Sequence, residues 1–211
     1  MKEPRITLSI ACYRRPERTK RSIQCILDQD VNGWEAFIMG DACPDFQNLI
    51  DSGYLQSIKE EQEKKGNIIH YFNAETNGGG CGHKLINHAI KNATGKYFVF
   101  YANDDIILPN HFSNYLEIEN TDLDYMIFDS WVDPINQIRT ARPFKDAIGH
   151  SEIILKTALA KTLPEHSAIY GHDWEFINAM LKSGTGKKST SKHLSYRVMH
   201  VPSYGTKDVI N

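Results

Sequence analysis

Over its first hundred residues the chain alternates strand-like with helix-like segments, and few architectures accept that order. Residues 5–12 alternate apolar and polar side chains with period two, the mark of a strand. Tyr13-Arg14-Arg15-Pro16 breaks the pattern, and Pro16 suits the first turn of a helix. The spacing predicts that helix over 17–29, with Ile23, Ile26 and Leu27 on one face. Further strands are predicted at 34–39, 68–72 and 96–102, separated by helices at 46–65 and 83–93. Such alternation argues for an α/β fold with a mostly parallel central sheet and helices on both faces. In sheets of this kind ligands bind beyond the carboxyl ends of the strands. Three of the strands run into Tyr13-Arg14-Arg15, Asp41 and Asn103-Asp104-Asp105, so the residues suited to chemistry collect on one edge.

The second half is less regular. Helices are predicted at 109–119, 151–161 and 170–181, and strands at 124–131 and 195–201; 132–150 and 183–192 read as loops. No repeat or interdomain linker interrupts the chain, so one domain over 1–211 is expected. Leu, Ile, Val and Phe make up about a quarter of the residues, above the level at which disorder is expected. No apolar run approaches the length of a membrane span, and the start carries no signal-peptide pattern, which leads to the expectation of a cytoplasmic protein. Cys12, Cys25, Cys43 and Cys81 form no CxxC or zinc-ligand spacing and read as free thiols of a reducing compartment. The charge is uneven: residues 1–136 hold 13 Lys/Arg against 20 Asp/Glu, and residues 137–211 hold 11 against 6.

Each polar cluster has a chemical reading and a plain one. Asn103-Asp104-Asp105 places adjacent carboxylates at a strand end, where their repulsion would be relieved by a hard divalent cation, Mg²⁺ or Mn²⁺, completed by substrate phosphates. The same residues are also good turn formers. The glycine-rich turn 77–82, which includes Gly79, opens a helix whose N-terminus could face a phosphate, yet it matches neither GxGxxG nor the P-loop pattern and reads more readily as a plain tight turn. Asp41 could bond a ribose hydroxyl or a base N–H, or simply cap the next helix. Asp173 stands in the first turn of a helix, where the macrodipole favours an acid; beside Trp174 it could instead serve as a general base near a sugar. His200 lies in the last strand, as a ligand or as a core residue. His70, His83, His88, His111, His150, His166 and His193 show no ligand spacing and are read as structural.

In order and spacing, residues 6–27, 34–45, 77–112, 171–181 and 196–205 resemble a family 2 glycosyltransferase of GT-A fold, which has a Rossmann-like core. The segment 93–109, a strand running into an acidic turn, is the most specific part and resembles the family's DxD metal motif. The resemblance implies a nucleotide-sugar-binding half over 1–105 and an acceptor-binding half over 106–211. It implies a UDP-sugar donor: Ala11 to Tyr13 would cradle the base with Tyr13 stacking on it, and Asp41 would contact it. Arg15, Gly79 and Lys84 or His83 would lie near the nucleotide or sugar, although the family's Ala-Arg-Asn is not kept and only Asn87 matches its Asn. Asn103 and Asp104 would meet the ribose or donor sugar, while Asp105 and His200 would hold Mn²⁺ or Mg²⁺. Asp173 matches the family's catalytic base, implying single displacement with inversion.

The sequence departs from the family in places. Gly40 stands where many members have a second acid, Asn103 replaces the first Asp of DxD, and no Gln-x-x-Arg-Trp motif occurs, which disfavours a processive polysaccharide synthase. The length matches a bare catalytic core. Two other readings stay open. A nucleotidyltransferase would want a basic, Gly-rich loop after the first strand, where this chain has Tyr13 to Pro16. A degenerate nucleotide-sugar-binding module would fit Asn103 but not the retention of Asp105 and Asp173. The acceptor is expected to be a glycan or lipid-linked sugar, with a nucleic acid as the alternative. Arg139, Arg142, Lys145, Lys187, Lys188 and Lys192 could contact acceptor phosphates, although the pI near 6.5 is low for nucleic-acid binding.

Overall fold

A computed structural model describes residues 4–79, 82–168, 172–189 and 194–199. The first half follows the predicted alternation: β1 (Ile6–Cys12), α1 (Pro16–Leu27), β2 (Trp34–Gly40), α2 (Pro44–Asp51), α3 (Tyr54–Lys64), β3 (Ile68–Asn73), α4 (His83–Asn92) and β4 (Tyr97–Ala102). After these come β5 (Ile106–Ile107), β6 (Tyr125–Ile127), β7 (Ser130–Val132), β8 (Gln137–Arg139), β9 (Ile153–Lys156), α5 (Thr157–Ala160), α6 (His172–Ser183), β10 (Gly186–Lys188) and β11 (Tyr196–Val198).

Seven strands form the main sheet in the order β10-β6-β9-β4-β1-β2-β3, and β9 alone runs against the others. β1 is in register with both neighbours: Ile10 lies beside Ile38 and Tyr101. Its side chains alternate between two cores. Ile6, Leu8 and Ile10 pack with Ile23 and Ile26 of α1 on one face. On the other face Phe37, Phe98 and Phe100 pack with Leu85 and Ala89 of α4 and with Phe176 and Ile177 of α6. Layers on both sides explain why the central strands are buried along nearly their whole length. A second sheet, β5-β11-β7-β8, sits after the end of β4.

Several expectations need correction. The predicted helix 46–65 is two helices, because Gly53 adopts φ 74° and restarts the chain as α3. The predicted helix 151–161 is interrupted by a strand: Ile153, Ile154 and Leu155 are fully buried between β4 and β6, and helix appears only afterwards, as the short α5. A three-residue apolar run carries no period that separates strand from helix, and the sheet vacancy decides. Residues 112–117, inside the predicted helix 109–119, form a tighter 3₁₀ turn. The strand predicted over 124–131 divides into β6 and β7, which enter different sheets. The loop 132–150 contains β8, and the loop 183–192 contains β10, where Gly186 is required because a Cβ would lie 2.1 Å from the Tyr125 ring.

Candidate active site

The carboxyl ends of β2, β1 and β4 and the start of β9 line up along one sheet edge and border a cleft of ≈ 960 Å³. Ala11, Tyr13, Arg15, Asp41, Gly79, Asn103, Asp104, Asp105 and Asp173 all line it. Lys84 does not: it is exposed on α4, with its stem packed toward Gly78. His200 lies outside the described residues.

At the β2 end, Asp41 is 6% exposed. Its Oδ1 accepts the Gly78 N–H at 2.8 Å, and its carbonyl accepts Asn77 Nδ2 at 3.1 Å. Asp41 thereby ties the glycine-rich turn to the sheet. The turn in turn delivers α4 against β1, since Gly82 has φ 78° and a Cβ there would lie 2.5 Å from the Ala11 Cβ. Gly40 is equally constrained: a Cβ would lie 2.4 Å from Asn73 Oδ1 and 2.6 Å from Phe46, which accounts for the missing second acid.

At the β1 end, Tyr13 is 46% exposed, with the Arg14 guanidinium 5.2 Å from its ring centre. Arg14 and Arg15 have φ 54° and 61°, a consecutive non-glycine pair in the left-handed region, held by the Pro16 helix start and by Arg14 N–H donation to Cys43 Sγ. Cys12 is a buried thiol whose pKa burial pushes up to about 12, so it remains neutral and inert.

At the β4 end, α1 grips the acidic turn. Arg21 donates to the carbonyls of Asp104 (2.9 Å) and Asp105 (3.4 Å), Ser22 to that of Asn103 (3.0 Å), and Asn103 Nδ2 to Thr19 Oγ1 (3.1 Å). The Asp104 carboxylate reaches Arg15 at 3.4 Å and is about a third exposed. Asp105 is 3% exposed. Its Oδ2 accepts the Tyr196 hydroxyl at 2.7 Å and its Oδ1 accepts the Met199 N–H at 2.9 Å, so β11 of the second sheet fixes it. Burial, followed by the Asp105 charge, raises the Tyr196 phenol well above its usual pKa. Arg21 and Tyr196 went unseen in the sequence because their partners lie 83 and 91 residues away.

Among the described residues no three His, Cys, Asp or Glu side chains group as a metal cage. The donors present are hard oxygens from Asp104 and Asp105. Beside them the buried Asn103 Oδ1 finds no hydrogen-bond partner among the described residues. Two carboxylates and an unsatisfied carbonyl suit a hard divalent cation that takes its remaining ligands from phosphate and water. Across the cleft, Asp173 is half-buried in the first turn of α6 and accepts the Trp174 N–H at 3.0 Å. Three of the basic residues offered for the acceptor are engaged in ion pairs, and Lys192 lies outside the described residues. Lys187 pairs with Glu117 at 3.1 Å, Lys188 with Asp129 at 2.8 Å, and buried Arg139 with Glu152 at 3.1 Å; Lys145 and Arg139 line the cleft, whereas Lys187 and Lys188 do not.

Residues 7–181 match the model of Glycosyl transferase family 2. The chain belongs to that family. A protein of Rickettsia bellii named an uncharacterized glycosyltransferase is 31% identical over 117 residues, which is 56% of this chain and 15% of the relative. One from Rickettsia felis with the same description is 29% identical over 117 residues, 17% of its length, so the chain spans under a fifth of either. Among solved structures, S. aureus TarS 1–349 in complex with UDP aligns with TM-score 0.71 at 17% identity, over 94% of this chain and 61% of TarS 1–349. The mannosyltransferase PcManGT from Pyrobaculum calidifontis, in complex with GDP-Man and Mn²⁺, aligns with TM-score 0.66 at 15% identity, over 97% of this chain and 59% of PcManGT. The fold of this family 2 chain is therefore GT-A. No helix among its described residues is long and apolar enough to cross a membrane.

Proposed function

We propose that the chain transfers a sugar from a nucleoside diphosphate sugar to an acceptor hydroxyl, by single displacement with inversion. The observation that carries this reading is the convergence of Asp41, Tyr13, Asp104, Asp105 and Asp173 on one cleft at the carboxyl edge of a GT-A sheet. Tyr13 and the β2 end would hold the base and ribose, with UDP as the first candidate nucleotide. The relatives' complexes with UDP and with GDP-Man and Mn²⁺ support a nucleotide-sugar donor of this general kind.

Asp104 and Asp105 would hold Mn²⁺ or Mg²⁺ over the diphosphate, with Asn103 Oδ1 close by. When bound, the cation neutralises charge developing on the leaving diphosphate. Arg15 and Arg21 keep the acidic turn in place and partly neutralise it before the donor arrives. Asp173 accepts the proton of the acceptor hydroxyl as its oxygen attacks the anomeric carbon, and Trp174 offers a face for a sugar ring. Residues 106–211 would supply the acceptor side. A glycan or lipid-linked sugar is the acceptor class favoured here, because the pI near 6.5 is low for a nucleic-acid binder and acidic partners offset the charges of Lys187 and Lys188. Thermal stabilisation by UDP-sugars and GDP-sugars, each with and without Mn²⁺, tests the donor reading. A metal-dependent shift for a sugar nucleotide supports it, and no shift for any of them refutes it.

A further inference from the structure

Two consecutive arginines hold a left-handed backbone at the end of β1. Arg14 has φ 54° and Arg15 has φ 61°, a region that residues other than glycine, asparagine and aspartate seldom adopt. Backbone strain of this kind collects where a ligand is held. The Arg14 amide is fixed by donation to Cys43 Sγ at 3.0 Å, and α1 begins at Pro16, two residues later. The turn is therefore pinned on both sides of the strained pair.

The turn decides where two side chains go. Along an extended strand neighbouring residues point to opposite faces. At φ 54° the chain leaves that course, and Tyr13 and Arg14 both border the cleft. The Arg14 guanidinium lies over the Tyr13 ring, 5.2 Å from its centre. Among the described residues no acid pairs with Arg14, and the Tyr13 ring is the group its charge rests on. Arg15, one residue further, reaches Asp104 instead, at 3.4 Å. A cation over an aromatic face is attracted by the quadrupole of the ring. Tyr13 is 46% exposed, and a side chain so exposed samples several rotamers unless something holds it. Fixing it only when a ligand arrives would cost affinity, and the Arg14 contact fixes it beforehand.

On the glycosyltransferase reading above, on which this inference rests, Tyr13 stacks on the nucleotide base. The guanidinium covers one face of the ring, which leaves the other for the base. We propose that Arg14 is a positioning residue for donor binding, one that backs the Tyr13 ring so that the nucleotide base stacks on a face already in place. Arg14 acts through Tyr13 and not on the phosphates, which sets it apart from Arg15 at the acidic turn.

A double-mutant cycle separates this role from a direct contact. Affinities for UDP, GDP and inorganic pyrophosphate, each with Mg²⁺, are measured by calorimetry for the wild type, Arg14→Asn, Arg14→Lys, Tyr13→Leu, and Tyr13→Leu combined with Arg14→Asn. Asparagine accepts the left-handed backbone, so Arg14→Asn keeps the turn while removing the cation. It should weaken the nucleoside diphosphate that binds by about two- to fivefold, the range of one exposed cation–π contact, and leave pyrophosphate unchanged. Arg14→Lys, which keeps a charge without the planar guanidinium, should lose less. With Tyr13→Leu already present, Arg14→Asn should cost nothing further. A loss that adds to that of Tyr13→Leu, an equal weakening of pyrophosphate, or no loss in Arg14→Asn overturns the proposal and leaves the donor reading standing. Full nucleotide affinity in Tyr13→Leu overturns the proposal together with the stacking role of Tyr13. Failure of both nucleotides to bind the wild type overturns the proposal and the donor reading alike.

Discussion

Gly82 lets α4 approach β1 closely at Ala11, on the wall of the cleft, and a pair of substitutions isolates that contact. In Gly82→Ala the new residue must hold φ 78°, which costs an L-residue about 1–2 kcal/mol. Its Cβ would also sit 2.5 Å from the Ala11 Cβ, an overlap that must be relieved by moving α4 or β1; overpacking of this kind costs about 1–3 kcal/mol. The single variant should thus lose about 2–5 kcal/mol. Ala11→Gly alone should lose only about 0.5–1 kcal/mol, the ordinary cost of glycine in a strand. Combining them removes the overlap and leaves the backbone cost, because the next Ala11 atom, Cα, is 4.0 Å away. The double variant should therefore be more stable than Gly82→Ala by itself, with a coupling of about 1–3 kcal/mol. Urea unfolding of the four proteins measures this directly. Additivity within about 0.5 kcal/mol would mean that α4 and β1 are not in contact through these two residues, and the reasoning about the glycine-rich turn would fail.

Three other substitutions probe different parts of the account. Tyr196→Phe removes the bond to the Asp105 carboxylate and should cost about 1.5–3 kcal/mol, seen as a melting temperature lower by about 3–12 °C; a shift under about 1 °C would mean that β11 does not hold Asp105. Glu35 is buried, which raises its carboxyl pKa, but bonds from His70, Thr7 and Thr94 outweigh this and leave it below the ordinary value. Its contribution is therefore complete above the unfolded carboxylate range and is lost as pH falls through the folded pKa. Glu35→Gln should flatten the acid limb of a stability–pH curve, and an unchanged limb would remove Glu35 from that role. Asp173→Asn should slow transfer by about 10²–10⁴-fold while leaving sugar-nucleotide affinity within about twofold; a matching loss of affinity would make Asp173 a donor ligand instead of the base.

What the sequence disclosed follows from how local each signal is. β1 to β4 and the helices between them were legible, apart from the break at Gly53, because period-two and 3.6-residue patterns are complete within each segment. β9 was not: Ile153 to Leu155 is a short apolar run, and its strand conformation comes from pairing with β4, more than fifty residues earlier. Tyr13, Asp41, Asp104 and Asp105 stood out because strand ends on one sheet edge can be listed from strand order alone. Their supports could not be listed that way. Arg21 and Tyr196 reach the acidic turn from opposite directions. The pairing of Lys187 with Glu117 and of Lys188 with Asp129 was equally out of reach, because each pair joins segments far apart in the chain.

The central claim is that the cleft breaks the bond between a sugar and a nucleoside diphosphate. The most direct measurement follows the products formed from a panel of UDP- and GDP-sugars with Mn²⁺, first without acceptor, where slow transfer to water is expected. The account predicts release of the nucleoside diphosphate from one of these donors, suppressed by chelation of the metal and by Asp104→Asn. Release of pyrophosphate, or no metal-dependent turnover of any sugar nucleotide by the folded chain, would contradict it.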